Sequence, residues 1–192
     1  MTMLSESEKK TLLRIARQSV EAVVGGMLPL VVEVNSEALK APCGAFVTLH
    51  NSGRLRGCIG QFEAEGPLYK TVEAMAVSAA MRDPRFLSDP ITVAELSRID
   101  IEISVLSPLE KLDNPLDIEL GKHGIYIRGE YGTGCFLPQV ATETGWSKEE
   151  FLGHCCAGKA GLRPDAWKDP STEVLRFTAE VFGEVELMGQ GG

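Results

Sequence analysis

A hydrophobic run and a glycine-rich run, joined by a short turn, occupy residues 45–60, Ala45-Phe46-Val47-Thr48-Leu49-His50-Asn51-Ser52-Gly53-Arg54-Leu55-Arg56-Gly57-Cys58-Ile59-Gly60. Along the first run, Ala45, Val47 and Leu49 share one face of a strand, and the residues between them share the other. The turn residues 51–53 are typical of a β-hairpin, so the second run is predicted to return antiparallel to the first. We expect the rest of the chain to be organised around this hairpin.

The glycine-rich run also predicts a chemical site. Arg56 and Cys58 are two residues apart, so on an extended strand both side chains point to the same face. A cation beside a thiol favours the thiolate, which is the reactive form. The residues expected to form a binding surface around the thiol are Leu55, Gly57, Ile59 and Gly60. A simpler interpretation, in which Cys58 packs in a crowded sheet and Arg56 is solvated or paired, stays open.

The composition is that of a globular chain. It has 192 residues, of which 44% are hydrophobic and 24% charged, so disorder is not expected. A net charge of −8 argues against a duplex-DNA binder and makes RNA an unfavoured partner. No apolar run approaches the roughly 20 residues of a membrane span, and the polar start of the chain does not resemble a signal peptide. The five irregularly spaced cysteines predict unpaired thiols in a reducing cytoplasm.

Hydrophobic periodicity predicts an α+β fold. Helices are predicted over 5–25, 67–82, 92–98 and 147–161, and three of them begin with capping boxes, at Ser5, Thr92 and Ser147. Strands are predicted over 30–34, 45–49, 54–59, 99–106, 123–128 and 135–137, and residues 173–185 are predicted to form one strand or a pair of strands. The strands cluster as hairpins and do not alternate regularly with helices. We therefore expect mixed, mostly antiparallel sheets with packed helices.

Two residues outside the hairpin are candidate bases for Cys58. Glu102 lies on the polar face of the strand over 99–106, and it can pair with Arg56 or act as a base if that strand neighbours the cysteine. His123 is the alternative base in a Cys–His arrangement. His50 lies close to the hairpin turn, so it is predicted to be a surface residue.

Two further residues are candidates for ligand binding. Arg85 belongs to the charged turn over 82–86, which can bind an anion or satisfy its charges internally by pairing with Asp83. Gln139 follows Leu137 and Pro138 at a predicted strand end, where it can bind a ligand or simply bond to the backbone. No phosphate loop, GxGxxG, HExxH or CxxC motif occurs, so the sequence predicts no metal site and indicates no particular cofactor.

The hexapeptide over 55–60 resembles the hallmark motif of the AMMECR domain family. The further matches, in family order, are Asp83-Pro84-Arg85-Phe86, Ile103-Ser104-Val105-Leu106-Ser107-Pro108, His123-Gly124-Ile125, Phe136-Leu137-Pro138-Gln139-Val140, Trp146, Phe151-Leu152 and Lys159-Ala160-Gly161-Leu162. The resemblance implies a single domain over 1–192, made of two intertwined subdomains of a duplicated β-α-β-β unit, with a boundary near 110–122. Cys135 departs from the family pattern, which has threonine or a similar residue there in many relatives.

The resemblance also implies partners but no reaction. In bacteria, genes for this domain occur together with those for a Memo-type protein and a radical-SAM protein, so these two are the expected partners. Three functions stay open. The first is an enzyme with Cys58 as nucleophile, Arg56 stabilising the thiolate and Glu102 or His123 as base. The second is a non-catalytic module that binds a small molecule or a protein, and the third is an RNA-linked factor.

Overall fold

The computed structural model describes residues 3–28, 32–63 and 66–189. Its helices are α1 (Glu6–Val24), α2 (Glu37–Lys40), α3 (Leu68–Met81), α4 (Pro138–Thr144), α5 (Lys148–Gly158) and α6 (Glu184–Met188), with short 3-10 helices at Val93–Arg98 and Ala166–Lys168. Its strands are β1 (Ala45–Asn51), β2 (Arg54–Gln61), β3 (Ile99–Leu106), β4 (Glu110–Lys111), β5 (Gly124–Arg128), β6 (Thr133–Phe136), β7 (Glu173–Phe177) and β8 (Ala179–Gly183). The predicted α+β class is confirmed.

The chain forms two compact units. The first contains residues 1–106 and 180–192, and the second contains residues 107–179. The chain thus leaves the first unit, builds the second and returns to supply β8 and α6 to the first. The chain passes from the first unit to the second between Leu106 and Ser107, a few residues before the boundary predicted near 110–122.

The first unit is built on the predicted hairpin. Its sheet has the strand order β2-β1-β3-β8, and β1 pairs antiparallel with both β2 and β3. The face that carries Val47, Leu49 and Ile101 is fully buried, and it packs with α1 and α3 into one apolar core. The opposite face of β1 carries Phe46, Thr48 and His50, as the alternation predicts.

The second unit repeats this arrangement. Its sheet has the order β4-β7-β5-β6, with β5 antiparallel to both β6 and β7. In each unit a hairpin (β1-β2 or β5-β6) is followed by a helix (α3 or α5) and by a strand that pairs with the first strand of the hairpin. The order of elements along the chain is therefore β-β-α-β, whereas the resemblance had implied the same elements as β-α-β-β.

Two glycines mark corresponding positions in the units. A Cβ at Gly57 of β2 would overlap the carbonyl oxygen of Ala79 in α3, and a Cβ at Gly134 of β6 would collide with the backbone N of Ala160 just after α5. Glycine is required at both places because strand and helix backbones approach closely there. The next residues, Cys58 and Cys135, consequently occupy equivalent positions.

Local sequence signals account for most element boundaries. The capping boxes at Ser5, Thr92 and Ser147 are present, although the second opens a 3-10 helix. Pro138 does not simply end a strand: it is the first residue of α4, where its missing N–H is harmless. The strand predicted over 30–34 lies partly outside the described residues, and 32–34 have no regular structure. Of the helices in the described ranges, none is long and apolar enough to span a bilayer.

Candidate functional site

Cys58 lies on β2, the edge strand of the first sheet, and both of its backbone polar groups bond to the turn that follows α3. Its N–H donates to Asp83 Oδ2 over 2.9 Å, and its C=O accepts from Arg85 Nη2 over 3.2 Å. An edge strand otherwise presents such groups unpaired. The Asp83-Pro84-Arg85-Phe86 motif therefore covers the edge of the hexapeptide strand at the cysteine.

Asp83 and Arg85 hold each other in a fixed geometry. Arg85 donates from Nε to Asp83 Oδ1 over 2.9 Å and from Nη2 to Oδ2 over 2.6 Å, and its backbone N–H also bonds Oδ1. Asp83 is 3% exposed. The hydrogen bonds from the Arg85 side chain, more than any other cause, lower the pKa of Asp83 to about 2 although burial opposes them. Of the two outcomes considered for this turn, internal pairing of Asp83 and Arg85 is the one observed.

The thiol of Cys58 is half-buried and has a hydroxyl group as a neighbour. Thr48, its partner on β1, donates from Oγ1 to Cys58 Sγ over 3.3 Å. The Arg85 guanidinium is held at the same residue by its hydrogen bond to the Cys58 carbonyl, and Asp83 mainly, with Cys58 to a smaller extent, raises the pKa of Arg85. The arginine that contacts Cys58 is thus Arg85.

Arg56 lies in a different environment because of a β-bulge. Leu49 pairs with Gly57 and His50 with Leu55, so Arg56 has no partner on β1 and the alternation between Arg56 and Cys58 is interrupted.

The Arg56 guanidinium is 3% exposed and is enclosed by two carboxylates. Arg56 Nη1 lies 2.8 Å from Asp89 Oδ2. Arg56 Nε lies 3.2 Å from Glu95 Oε1, but this second contact does not have the geometry of a hydrogen bond. Its remaining bonds go to the Asp89 carbonyl and to Glu95, and it lies over the Phe86 ring. The structure therefore pairs Arg56 with Asp89 and Glu95 and does not bring it to the thiol.

Glu102 lies in one cross-strand row with Cys58. Thr48 pairs with Cys58 on one side and with Glu102 on the other, so the three side chains share a face of the sheet. β3 does not neighbour β2, since β1 runs between them and separates their backbones by about 10 Å. A proton that moves between Cys58 and Glu102 therefore has to pass Thr48.

His123 and Gln139 belong to the second unit. His123 accepts a hydrogen bond at Nδ1 from the backbone N–H of Glu119 over 3.0 Å, and burial is the main cause that lowers its pKa. Gln139 is in the first turn of α4, where its carbonyl accepts from Thr142. The role of His123 as a base for Cys58 and the ligand-binding role of Gln139 stay predictions.

The other hexapeptide residues support the strand. Ile59 packs against the apolar core, and Leu55 is half-buried opposite His50. A Cβ at Gly60 would overlap the ring of Phe46. Close packing therefore explains Gly57 and Gly60 without a ligand, and their predicted binding roles stay predictions.

Asp83 and Thr48 are the two residues at Cys58 for which the sequence predicted no role there. The available signal was position: Asp83 follows the predicted end of a helix, and Thr48 shares the polar face of β1. None of the five cysteines forms a disulfide. Burial raises the pKa of the Cys43, Cys155 and Cys156 thiols, so these three are packing residues. Within the described ranges no three His, Cys, Asp or Glu side chains are grouped to hold a metal ion.

Fold and site define an α+β protein of two similar four-stranded units, and in the first unit an Asp–Arg pair bonds the backbone of a cysteine on an edge strand. The family model of AMMECR1 matches residues 13–182, so the chain belongs to the AMMECR1 family. A protein of Methanothermobacter thermautotrophicus is 43% identical over 188 residues, covering 94% of this chain and 96% of its own length. Protein MJ0810 of Methanocaldococcus jannaschii is 39% identical, covering 99% and 96%.

A solved structure agrees with the fold. The crystal structure of the uncharacterized protein PH0010 from Pyrococcus horikoshii superposes with a TM-score of 0.81 at 36% identity, and the match covers 90% of this chain and 89% of that one. The resemblance drawn from the hexapeptide and the other motifs is thereby confirmed.

Proposed function

We propose that the protein is an enzyme that uses the Cys58 thiol as a nucleophile toward a small-molecule substrate on the polar face of the first sheet. The observation that carries the proposal is the pair of groups at Cys58, the Thr48 hydroxyl 3.3 Å from the sulfur and the Arg85 guanidinium, which Asp83 fixes beside the Cys58 carbonyl. A hydroxyl donor and a nearby cation are groups found at activated thiols, and neither is needed to pack a small apolar side chain.

The equivalent thiol of the second unit supports the proposal by contrast. Cys135 occupies the position of Cys58, but its strand partner is Tyr126 in place of Thr48. On the far side of Tyr126 lies Leu175, where the first unit has Glu102. The same backbone framework therefore places Thr48 and Glu102 in a row with Cys58, and Tyr126 and Leu175 in a row with Cys135. The hydroxyl and carboxylate in the row of Cys58 are thus not a requirement of the fold.

Peptide-mapped alkylation with iodoacetamide tests the proposal. Thr48→Val keeps the side-chain shape and removes the hydroxyl, and Arg85→Gln removes the cation. We expect each substitution to slow alkylation of Cys58 several-fold at pH 7 and to leave Cys135 unchanged. Thr71→Val is the matched control, because Thr71 is a buried threonine on α3 whose hydroxyl bonds Pro67. Unchanged rates at Cys58 in both site variants would contradict the proposal.

We also propose the Memo-type and radical-SAM proteins as partners, on the family resemblance alone. The test is direct binding between purified proteins, measured by isothermal titration calorimetry with wild type and with Arg85→Glu. A loss of binding in the variant would place the partner at the thiol, whereas no binding to wild type would remove the proposal.

A binding function without turnover is the second candidate. The surface beside Cys58 favours it, since Arg85 is 52% exposed at its side chain and Leu87, two residues further along the turn, is 62% exposed. This candidate predicts that Cys58→Ser keeps partner affinity while Arg85→Glu abolishes it. The enzyme proposal predicts that Cys58→Ser abolishes activity.

A further inference from the structure

We infer that His50, oriented by Asp100, is the general base for Cys58. This inference rests on the proposed use of the Cys58 thiol and names the residues that would take its proton. The sequence had assigned His50 to the surface near the hairpin turn, and the strand register changes that assignment.

The register places His50 on the same face as Cys58. His50 is two residues from Thr48 on β1, and Thr48 is the direct partner of Cys58. His50 is thus the diagonal cross-strand neighbour of the cysteine, at a Cα separation of about 7–8 Å that long and aromatic side chains can bridge. The imidazole is half-buried, so solvent reaches it only in part.

Asp100 lies on the other side of the histidine. It is the direct partner of His50 on β3, one strand further from Cys58. Its Oδ1 atom is buried and makes no hydrogen bond within the described ranges. A buried carboxylate oxygen normally has a donor. The strand register places His50 opposite Asp100, so a ring N–H of His50 is the candidate donor. Both ring nitrogens carry a proton when the imidazole is charged, so one can face Asp100 while the other faces Cys58.

The charged groups around His50 favour this assignment. On β3 the residue opposite His50 is the acidic Asp100, and on β2 it is the uncharged Leu55. The arginines next to Leu55 on β2 are directed to other groups, with Arg54 and Arg56 both facing Asp89. α1 and α3 pack on the opposite, apolar face of the sheet. The charge nearest to His50 in the strand register is therefore the negative charge of Asp100.

The proposed step is a proton transfer. The Cys58 thiol gives its proton to one nitrogen of His50, which leaves a thiolate and an imidazolium, and the other N–H of the imidazolium donates to Asp100. With iodoacetamide as the probe, the thiolate forms an S–C bond, the C–I bond breaks and iodide leaves with the bonding electrons. Charge and atoms balance without a further reactant.

The test measures alkylation of Cys58 between pH 5.5 and 8.5 in wild type, His50→Asn, His50→Gln and Asp100→Asn. We expect both His50 variants to lose at least about tenfold in rate near pH 6.5, and Asp100→Asn to lose less. His154→Asn is the control, because His154 stacks on Trp146 in the second unit. Thermal unfolding of each variant shows whether the fold is retained, and two different His50 substitutions guard against a local packing defect.

The outcomes separate this inference from the proposed function. If Cys58 reacts rapidly in wild type and both folded His50 variants react equally fast, the base assignment is overturned and the thiol proposal stands. If Cys58 is inert in wild type, both are overturned. A rate that falls in the His50 variants and not in His154→Asn supports the inference.

Discussion

Asp83 Oδ2 accepts a hydrogen bond of 2.9 Å from the backbone N–H of Cys58, although the two residues lie 25 positions apart. The two motifs over 55–60 and 83–86 therefore bind each other through hydrogen bonds and form one site. Arg85 completes it by donating to the carbonyl of the same cysteine. This site and its supporting contacts lead to five predictions.

Asp83→Ala should destabilise the first unit by about 3 kcal/mol, because it removes the acceptor of the Cys58 N–H and leaves Arg85 without its carboxylate. Urea unfolding measures the free energy. Asp113→Ala, at an exposed loop position, is the control and should change the free energy by less than about 0.5 kcal/mol. Equal effects of the two substitutions would show that the Asp83 contacts carry little stability.

Stability should fall between pH 4 and pH 2 through Asp83. Its pKa is about 2 in the folded chain against an ordinary value of 3.8, so the folded state holds the carboxylate charged at a pH where the unfolded chain binds a proton. The stabilisation, about 2 kcal/mol, is therefore complete above pH 4 and is lost as the pH falls through the folded value. The gap in unfolding free energy between wild type and Asp83→Asn should shrink over this range. A constant gap would contradict the lowered pKa.

Gly57→Ala should cost about 2–3 kcal/mol, since the new Cβ would overlap the carbonyl oxygen of Ala79 and force β2 away from α3. Gly66→Ala is the matched control, because a Cβ there meets nothing within 4 Å. Differential scanning calorimetry of both variants gives the comparison. A Gly57→Ala protein as stable as wild type would mean that strand and helix are not in close contact.

Arg56→Met should lower stability by about 3 kcal/mol and leave the alkylation rate of Cys58 unchanged. The reason is that the Arg56 guanidinium is buried against Asp89 and Glu95 and not against the thiol. Arg54→Gln, whose side chain is 75% exposed, is the control for loss of a positive charge from β2. A rate that drops in Arg56→Met would restore the role that the sequence analysis gave to Arg56.

Hydrophobic alternation and turn residues were enough to predict the hairpin, the α+β class and the capped helix starts. These features depend on neighbours within a few residues, so the sequence displays them directly. The motif over 83–86 was likewise visible, and pairing of Arg85 with Asp83 was one of its two predicted outcomes.

The bulge and the strand order were not visible. The same-face prediction for Arg56 and Cys58 assumed regular alternation, and one unpaired residue in β2 interrupts it. The position of Glu102 depended on which strand pairs with which, and β1 proved to lie between it and Cys58. Pairing across more than 40 residues is set by packing of the whole unit, which no local pattern records.

The central claim is that Cys58 is a primed nucleophile and not a packing cysteine, and the chain contains its own reference for this. The measurement is the ratio of the alkylation rate constants of Cys58 and Cys135 in the same folded sample at pH 7, from mass spectrometry of the digested protein. The two thiols are both half-buried and occupy equivalent positions, but Cys58 has the Thr48 hydroxyl at its sulfur and Arg85 at its carbonyl, whereas the strand partner of Cys135 is Tyr126. We predict a ratio of at least about ten. A ratio near one or below would contradict the claim.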